Sequence, residues 1–327
     1  MESLGLRQRE EASVNTIAWD VVKSSEIEGE LLATEEVRSS VARKLGVTMG
    51  GLVASSRIVD GVVEMMLDAT QQYKKKITQE RLFHWHKLLF REPNKRDILV
   101  GKWRNDSTGP MQVVSGAMGR ERVHFEAPAA SRLKNEMKKF ITWFNSENEL
   151  DPVLKAAVAH LYFVTIHPFE DGNGRIARAI ADMQLARADD SAQRFYSMSS
   201  QIRKERSTYY NMLEKAQSST LDITEWLLWF IACLDRAMDA SQEILQEVLR
   251  KTRFWEKHKY AAFNERQRKM LNKLMEGFEG NLTTTKWSKM TKCSPDTALR
   301  DIQDLIVKGA LMKDEGGGRS TTYSVRF

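Results

Sequence analysis

Residues 167–178 read His-Pro-Phe-Glu-Asp-Gly-Asn-Gly-Arg-Ile-Ala-Arg. The stretch before them, Pro152–Thr165, carries Val153, Leu154, Ala157, Val158, Leu161, Phe163 and Val164. Apolar residues on nearly every side predict a buried helix there. Gly174–Ala188 predicts a second helix. The twelve residues therefore form a loop that ends at a helix N-terminus. Further out, apolar residues at helical spacing predict helices over Val53–Tyr73, Thr78–Phe90, Ser131–Asn145, Lys204–Gln217 and Ile223–Val248. Thr78 is a natural N-cap, with Ile77 and Leu82 as its hydrophobic staple, and Pro93 follows as a stop signal. Met111–Ser115 and Arg122–Glu126 flank Gly116–Gly119 as a β-hairpin, and Pro128 closes it. The fold class expected is mostly α, a helical core with a small β-hairpin.

The loop gathers chemistry that suits a nucleotide polyphosphate. The Gly-Asn-Gly turn lets the backbone approach a ligand closely. The N–H groups at the helix start form an anion site. Arg175 and Arg178, three apart, share a face and can clamp phosphates. Asp171 is a hard oxygen ligand suited to Mg²⁺ shared with phosphates. His167 is a base of ordinary pKa ~6.5, and Phe169 would plug the loop into the core. Each residue also has a plain structural reading: a packed histidine, or an aspartate N-cap. Gly-Asn-Gly-Arg-Ile-Ala fits a dinucleotide fingerprint too, but that fingerprint needs a preceding strand, and here a helix and His-Pro precede it.

The segment resembles the Fic family motif H-x-F-x-(D/E)-G-N-G-R-x-x-R at every fixed position, and the resemblance extends over roughly residues 15–240. It implies a Fic-type helical core with the hairpin as a flap over the site. It implies transfer of AMP from ATP to a Ser, Thr or Tyr hydroxyl of a protein, that protein including the chain itself. His167 would be the catalytic base and Asp171 the Mg²⁺ ligand. Gly172, Asn173 and Gly174 would form the anion hole, and Arg175 and Arg178 would bind the terminal phosphates. Tyr209 and Tyr210 resemble residues near the nucleotide base, although paired tyrosines on a helix also suit a core. Ser24-Ser25-Glu26-Ile27-Glu28-Gly29 resembles the family's inhibitory motif. Ser24 and Glu28 share a helix face and Gly29 suits its C′ position. By the resemblance Glu28 would pair with Arg178 and withhold it from the γ-phosphate. A bias of roughly 3 kcal/mol would leave about 1% of the protein productive. Removal of AMP, another nucleotide-type transfer by the same site, and a nucleotide-sensing transcriptional regulator stand as alternatives.

Composition bounds the rest. The 327 residues carry 50 Lys+Arg against 44 Asp+Glu, and the whole +6 excess lies within residues 241–327. Two cysteines exclude a disulfide framework or a cysteine-rich zinc site. The N-terminus lacks an apolar signal region and no run approaches a membrane span, so a cytoplasmic protein with no membrane contact is expected. Glu265–Met275, Thr283–Met290 and Ser294–Lys308 predict three helices, and Ala310–Lys313 and Thr321–Val325 two strands around Glu315–Arg319. That is the order of a winged-helix domain. Ser294–Lys308 carries Asp296, Asp301 and Asp304 and is net negative, a poor footprint for DNA. Lys286, Lys289, Lys292 and Arg319 partly compensate, but protein docking or support of a homodimer is favoured over DNA. The expected division is 1–60 with the inhibitory helix, 61–240 as catalytic core, 241–264 as linker helix and 265–327 as winged helix.

Overall fold

The computed structural model of the chain describes all residues except 1–5, 50, 92–97, 108, 116–121, 148, 219–220, 276–277, 279 and 315–320. Pro93, the Gly116–Gly119 turn and the Glu315–Arg319 tip expected above lie outside the described residues. The order is α1 (Leu6–Ile27), α2 (Thr34–Leu45), α3 (Arg57–Gln71), α4 (Gln79–Leu89), β1 (Gln112–Ser115), β2 (Arg122–Glu126), α5 (Ala130–Asn145), α6 (Pro152–Ile166), α7 (Asn173–Ala188), α8 (Met198–Lys204), α9 (Arg206–Ser218), α10 (Thr224–Lys257), α11 (Glu265–Met275), α12 (Thr284–Thr291), α13 (Pro295–Val307), β3 (Leu311–Lys313) and β4 (Tyr323–Val325). The chain forms two compact units, Met1–Ser241 and Gln242–Phe327, and the division between them falls within the span of α10.

The first unit is organised around α7, which packs against α6, α3, α4 and α1. Its middle, Ile176 to Leu185, is buried on every side, with Asp182 and Gln184 among the buried residues. Asp182 Oδ1 accepts from Arg194 Nη2 at 2.6 Å, the partner that a buried polar group requires. α6 begins with Pro152 behind the N-cap Asp151, whose carboxylate accepts from Val153 and Leu154 N–H. Thr78 caps α4 by accepting from Arg81 N–H, and Ile77 and Leu82 beside it are fully buried.

Two features depart from the sequence reading. The single helix expected over Lys204–Gln217 is preceded by a separate helix, α8, and the two are divided at Glu205. Ser197 caps α8, and Asp20 of α1 accepts from both Ser197 Oγ (2.5 Å) and Ser199 N–H (3.2 Å), so α1 is fastened to this corner. The Ile223–Val248 helix continues to Lys257 as α10.

β1 and β2 pair antiparallel, with the register shifting between Val113 and Val114. The second unit has its own core around Phe254, Met270, Leu271, Trp287, Ile302 and Leu305. α11, α12 and α13 precede the antiparallel pair β3–β4. Two of the three aspartates of α13 are partnered within this unit. Asp301 is buried and accepts from Arg266 and Asn264, while Asp304 accepts from Gln267 and Lys308 of its surroundings. The outward face therefore carries Asp296, Arg300 and a Lys308-paired Asp304 rather than three bare aspartates. No described helix is long and apolar enough to cross a membrane.

Candidate active site

His167 ends α6 in the left-handed conformation (φ 49°, ψ 57°), a setting uncommon outside glycine and asparagine. Two contacts hold it there. Its N–H donates to Phe163 O at 3.1 Å, and its carbonyl accepts from Arg104 Nε at 2.7 Å. The ring Nδ1 lies 3.2 Å from Val164 O. A carbonyl only accepts, so Nδ1 carries the proton and Nε2 keeps its lone pair. Burial pushes the ring's pKa down to about 4, which keeps the imidazole neutral at pH 7.

The loop that follows is fixed from inside. Asn173 Oδ1 accepts from Phe169 N–H at 3.0 Å and its Nδ2 donates to Phe169 O at 2.8 Å. The side chain thus closes the turn on itself. Phe169 is fully buried and stacks on His86 at 4.1 Å. His86 Nδ1 accepts from Gly101 N–H, which leaves Nε2 to donate to Asp171 O. Burial lowers the His86 pKa to about 4 as well. Asp171 Oδ1 accepts from Gly172 N–H at 2.6 Å and lies 3.8 Å from Arg175 Nη2.

α7 then starts behind Gly172, with Ile176 N–H the first to close a helical bond. The N–H groups of Asn173, Gly174 and Arg175 therefore have no intrahelical carbonyl. Glu28 lies against this opening. A Cβ added at Gly174 would stand 2.1 Å from Glu28 Oε1 and 3.2 Å from Arg178 Nη1. Only glycine leaves room for that carboxylate. Glu28 Oε1 pairs with Arg178 Nη2 at 2.8 Å. Arg178, 2% exposed, also donates from Nε to Ser24 Oγ and from Nη2 to Ser24 O, both at 2.9 Å. Its Nη1 is buried without a partner. Burial alone would raise the Glu28 pKa, but the Arg178 guanidinium outweighs it and the carboxyl is held below its usual range.

The turn that presents Glu28 has a definite geometry. Gly29 adopts φ +84°, Gly29 N–H donates to Glu26 O, and Glu30 N–H donates to Ser25 O. These are the paired bonds of a Schellman motif with Gly29 at C′. It places Glu28 at the C-cap of α1 and Glu30 two residues on. Glu30 Oε2 accepts from Arg175 Nη1, the other arginine of the loop. One carboxylate at a helix C-terminus is unfavourable, but both face the N-terminus of α7, where negative charge is welcome.

The two tyrosines divide. Tyr209 is 1% exposed, hydrogen-bonded to His160 at 2.9 Å and packed among Trp226, Trp229 and Tyr210. Tyr210 is half-buried, with its hydroxyl 3.4 Å from Glu28 Oε2. The structure thus brings together His167, Asp171, Gly172, Asn173, Gly174, Arg175, Arg178, Tyr210, Ser24, Glu28 and Gly29, and sets Tyr209 behind them. Glu30 and Arg104 are additions that the sequence reading missed. Arg104 is buried and also donates to Pro128 O at 2.5 Å and Asp106 Oδ1 at 3.0 Å, tying the His167 carbonyl to the foot of the hairpin. Among the described residues no group of three or more His, Cys, Asp or Glu could hold a metal. A lone carboxylate suits Mg²⁺, which takes its other ligands from phosphates and water.

Residues 76–185 match the Fic/DOC family, and residues 1–47 match a domain of unknown function, DUF4172. A crystallised Fic family protein from Desulfovibrio desulfuricans G20 aligns with 99% of this chain and 89% of its own, at a TM-score of 0.54 and 21% identity. A Fic domain containing signaling protein from Bacteroides thetaiotaomicron aligns over 73% of this chain and 90% of its own, with TM-score 0.54 and 22% identity. The mostly helical first unit with its hairpin thus has the Fic fold. Residues 76–185 of the chain are thus similar to the Fic/DOC family. The "Protein adenylyltransferase Fic" of Drosophila mojavensis is 34% identical over 127 residues, which cover 37% of this chain and 24% of the relative. That of Drosophila melanogaster is 33% identical over 127 residues with the same shares. The matched part is thus about a quarter of these relatives.

Proposed function

We propose that the chain transfers AMP from ATP to a hydroxyl of a protein, with Mg²⁺, and that Glu28 restrains the reaction. The observation that carries the reading is the neutral His167 imidazole with Nδ1 committed to Val164 O. Its Nε2 is free to take a proton, and it stands in one loop with an anion-binding helix start and two buried arginines. His167 Nε2 accepts the proton of a Ser, Thr or Tyr hydroxyl. The oxygen bonds to the α-phosphorus, the α–β phosphoanhydride bond breaks and pyrophosphate leaves. Asp171 would hold Mg²⁺, which neutralises phosphate charge. The N–H groups of Asn173 and Gly174 and the guanidinium groups of Arg175 and Arg178 bind and orient the phosphates. Positioning and charge neutralisation dominate such transfers.

Restraint follows from competition for one place. Glu28 lies at the start of α7 and on Arg178, where a phosphate would be held. Residues 1–60 then serve as the inhibitory region, 61–240 as the catalytic core, 241–264 as a linker and 265–327 as a winged-helix module for protein docking.

The test compares α- and γ-labelled ATP with Mg²⁺ in Glu28→Gly, using the His167→Ala chain and a cell lysate as acceptors. Label from the α position alone supports AMP transfer. Label from the γ position would replace the reading with phosphate transfer, and no label from either would reject it.

A further inference from the structure

One face of α9 carries Arg206, Tyr210 and Glu214, each one turn beyond the last. The first two hold the end of α1. Arg206 Nε donates to Ile27 O at 2.8 Å, supplying the cation that the last turn of α1 lacks. Tyr210 lies under the Arg206 guanidinium, 5.1 Å from ring centre, and its hydroxyl is 3.4 Å from Ile27 O and from Glu28 Oε2. Glu214 reaches the other way. Its Oε1 accepts from Arg122 Nη2 at 2.5 Å and its Oε2 lies 2.7 Å from His124 Nδ1. Arg122 and His124 are alternate residues of β2, so they share the face turned to α9.

The hairpin needs such a fastening. It has two strands, of four and five residues. A two-stranded hairpin is at best marginally stable alone. The register shift at Val113/Val114 weakens its own pairing, and Val114 and Val123 are about half exposed. Little apolar burial therefore holds β2 among the described residues, and the carboxylate fork of Glu214 is a contact that fixes where it lies.

We propose that Glu214 is a positioning residue for the protein acceptor: by gripping Arg122 and His124 it sets the hairpin on the helix face that also holds the Glu28 turn. This rests on the transfer reading in one respect, that the hairpin guides the acceptor hydroxyl to His167. Glu214 touches no reacting group. Its loss weakens the hold on the acceptor and leaves nucleotide binding intact.

Backbone hydrogen exchange on the full chain tests the grip without any activity. Exchange in residues 111–115 and 122–127 rises several-fold in Glu214→Ala and less in Glu214→Gln, which keeps one acceptor oxygen. Residues 167–178 stay unchanged. Unaltered hairpin exchange in Glu214→Ala would overturn the proposal. Kinetics then test the role. In a Glu28→Gly background, with the His167→Ala chain as acceptor, Glu214→Ala raises the acceptor KM at least fivefold with kcat and ATP Kd within twofold. A fall in kcat at constant KM would count against it. Failure of the Glu28→Gly parent to label any acceptor rejects the transfer reading instead, and the exchange result still decides the grip.

Discussion

The loop at residues 167–178 and the turn at residues 25–30 meet face to face but are built differently. The loop is closed by its own hydrogen bonds: Asn173 brackets Phe169 from both sides, Arg104 holds the His167 carbonyl, and His86 packs beneath. Nothing in that set depends on the turn. The turn has its own Schellman backbone, and its described bonds to the loop run through two arginine side chains, Arg178 to Glu28 and to Ser24 Oγ and O, and Arg175 to Glu30. A loop closed by its own hydrogen bonds faces a turn joined to it through two arginines, and in the proposed reading phosphate competes for those arginines.

The largest expected effect lies in the loop. His167→Ala in a Glu28→Gly background lowers transfer by about 10²–10⁴-fold with ATP binding kept, the usual worth of a general base. Label rates and nucleotide titration check it. Equal loss of ATP binding would mean that the histidine belongs to the scaffold. Asn173→Ala removes both bridges to Phe169 and leaves a buried N–H unpaired, at a cost of about 3 kcal/mol. Thermal unfolding reads this as a Tm lower by several degrees. An unchanged Tm would remove the claim that the loop closes itself.

Acid separates the loop and the turn differently. His86 and His167 are depressed to about 4 and His160 to about 3, each mainly by burial. The unfolded chain therefore binds three more histidine protons between pH ~6.5 and ~4. Asp182, pushed up to about 8 by burial, returns one proton to the folded side. The net of two protons makes stability fall by up to about 2.7 kcal/mol per pH unit as the pH drops through that window. Glu28, depressed, keeps its contribution above ~4.5 and loses it only as pH falls through its lower folded value. Urea unfolding from pH 7 to 4.5 measures the slope, and a flat profile would contradict neutral buried histidines. The smallest effect belongs to Glu30, whose side chain is 38% exposed. A pair so open to water is worth up to ~1 kcal/mol, so Glu30→Gln raises transfer about fivefold or less. A gain equal to that of Glu28→Gly would make Glu30 an equal partner in restraint.

What the sequence revealed follows the same division. The 167–178 loop was legible because its residues are contiguous and their spacing carries the chemistry. Ser24, Glu28 and Gly29 were legible as a short motif. Glu30 was not, since its partner is 145 residues away and a single glutamate after a glycine has no pattern. Arg104, Arg206 and Glu214 were hidden for the same reason, their partners 63, 179 and 90–92 residues distant. α8 was missed because Ser197-Met-Ser-Ser-Gln-Ile-Arg-Lys204 offers only Met198 and Ile202 as an apolar pair. The partners of α13 were hidden as well, because composition cannot show that Asp301 is buried against Arg266 of α11 or that Asp304 accepts from Gln267.

The most direct test of restraint is the ratio of initial rates of α-phosphate label incorporation, Glu28→Gly over unaltered chain, at ATP well below saturation with Mg²⁺ and equal acceptor. Competition between Glu28 and phosphate for Arg178 predicts a ratio of roughly 100, from about 3 kcal/mol of pairing, which falls to background with His167→Ala. A ratio near one, with label present in both, would show that Glu28 and the nucleotide do not compete for that arginine.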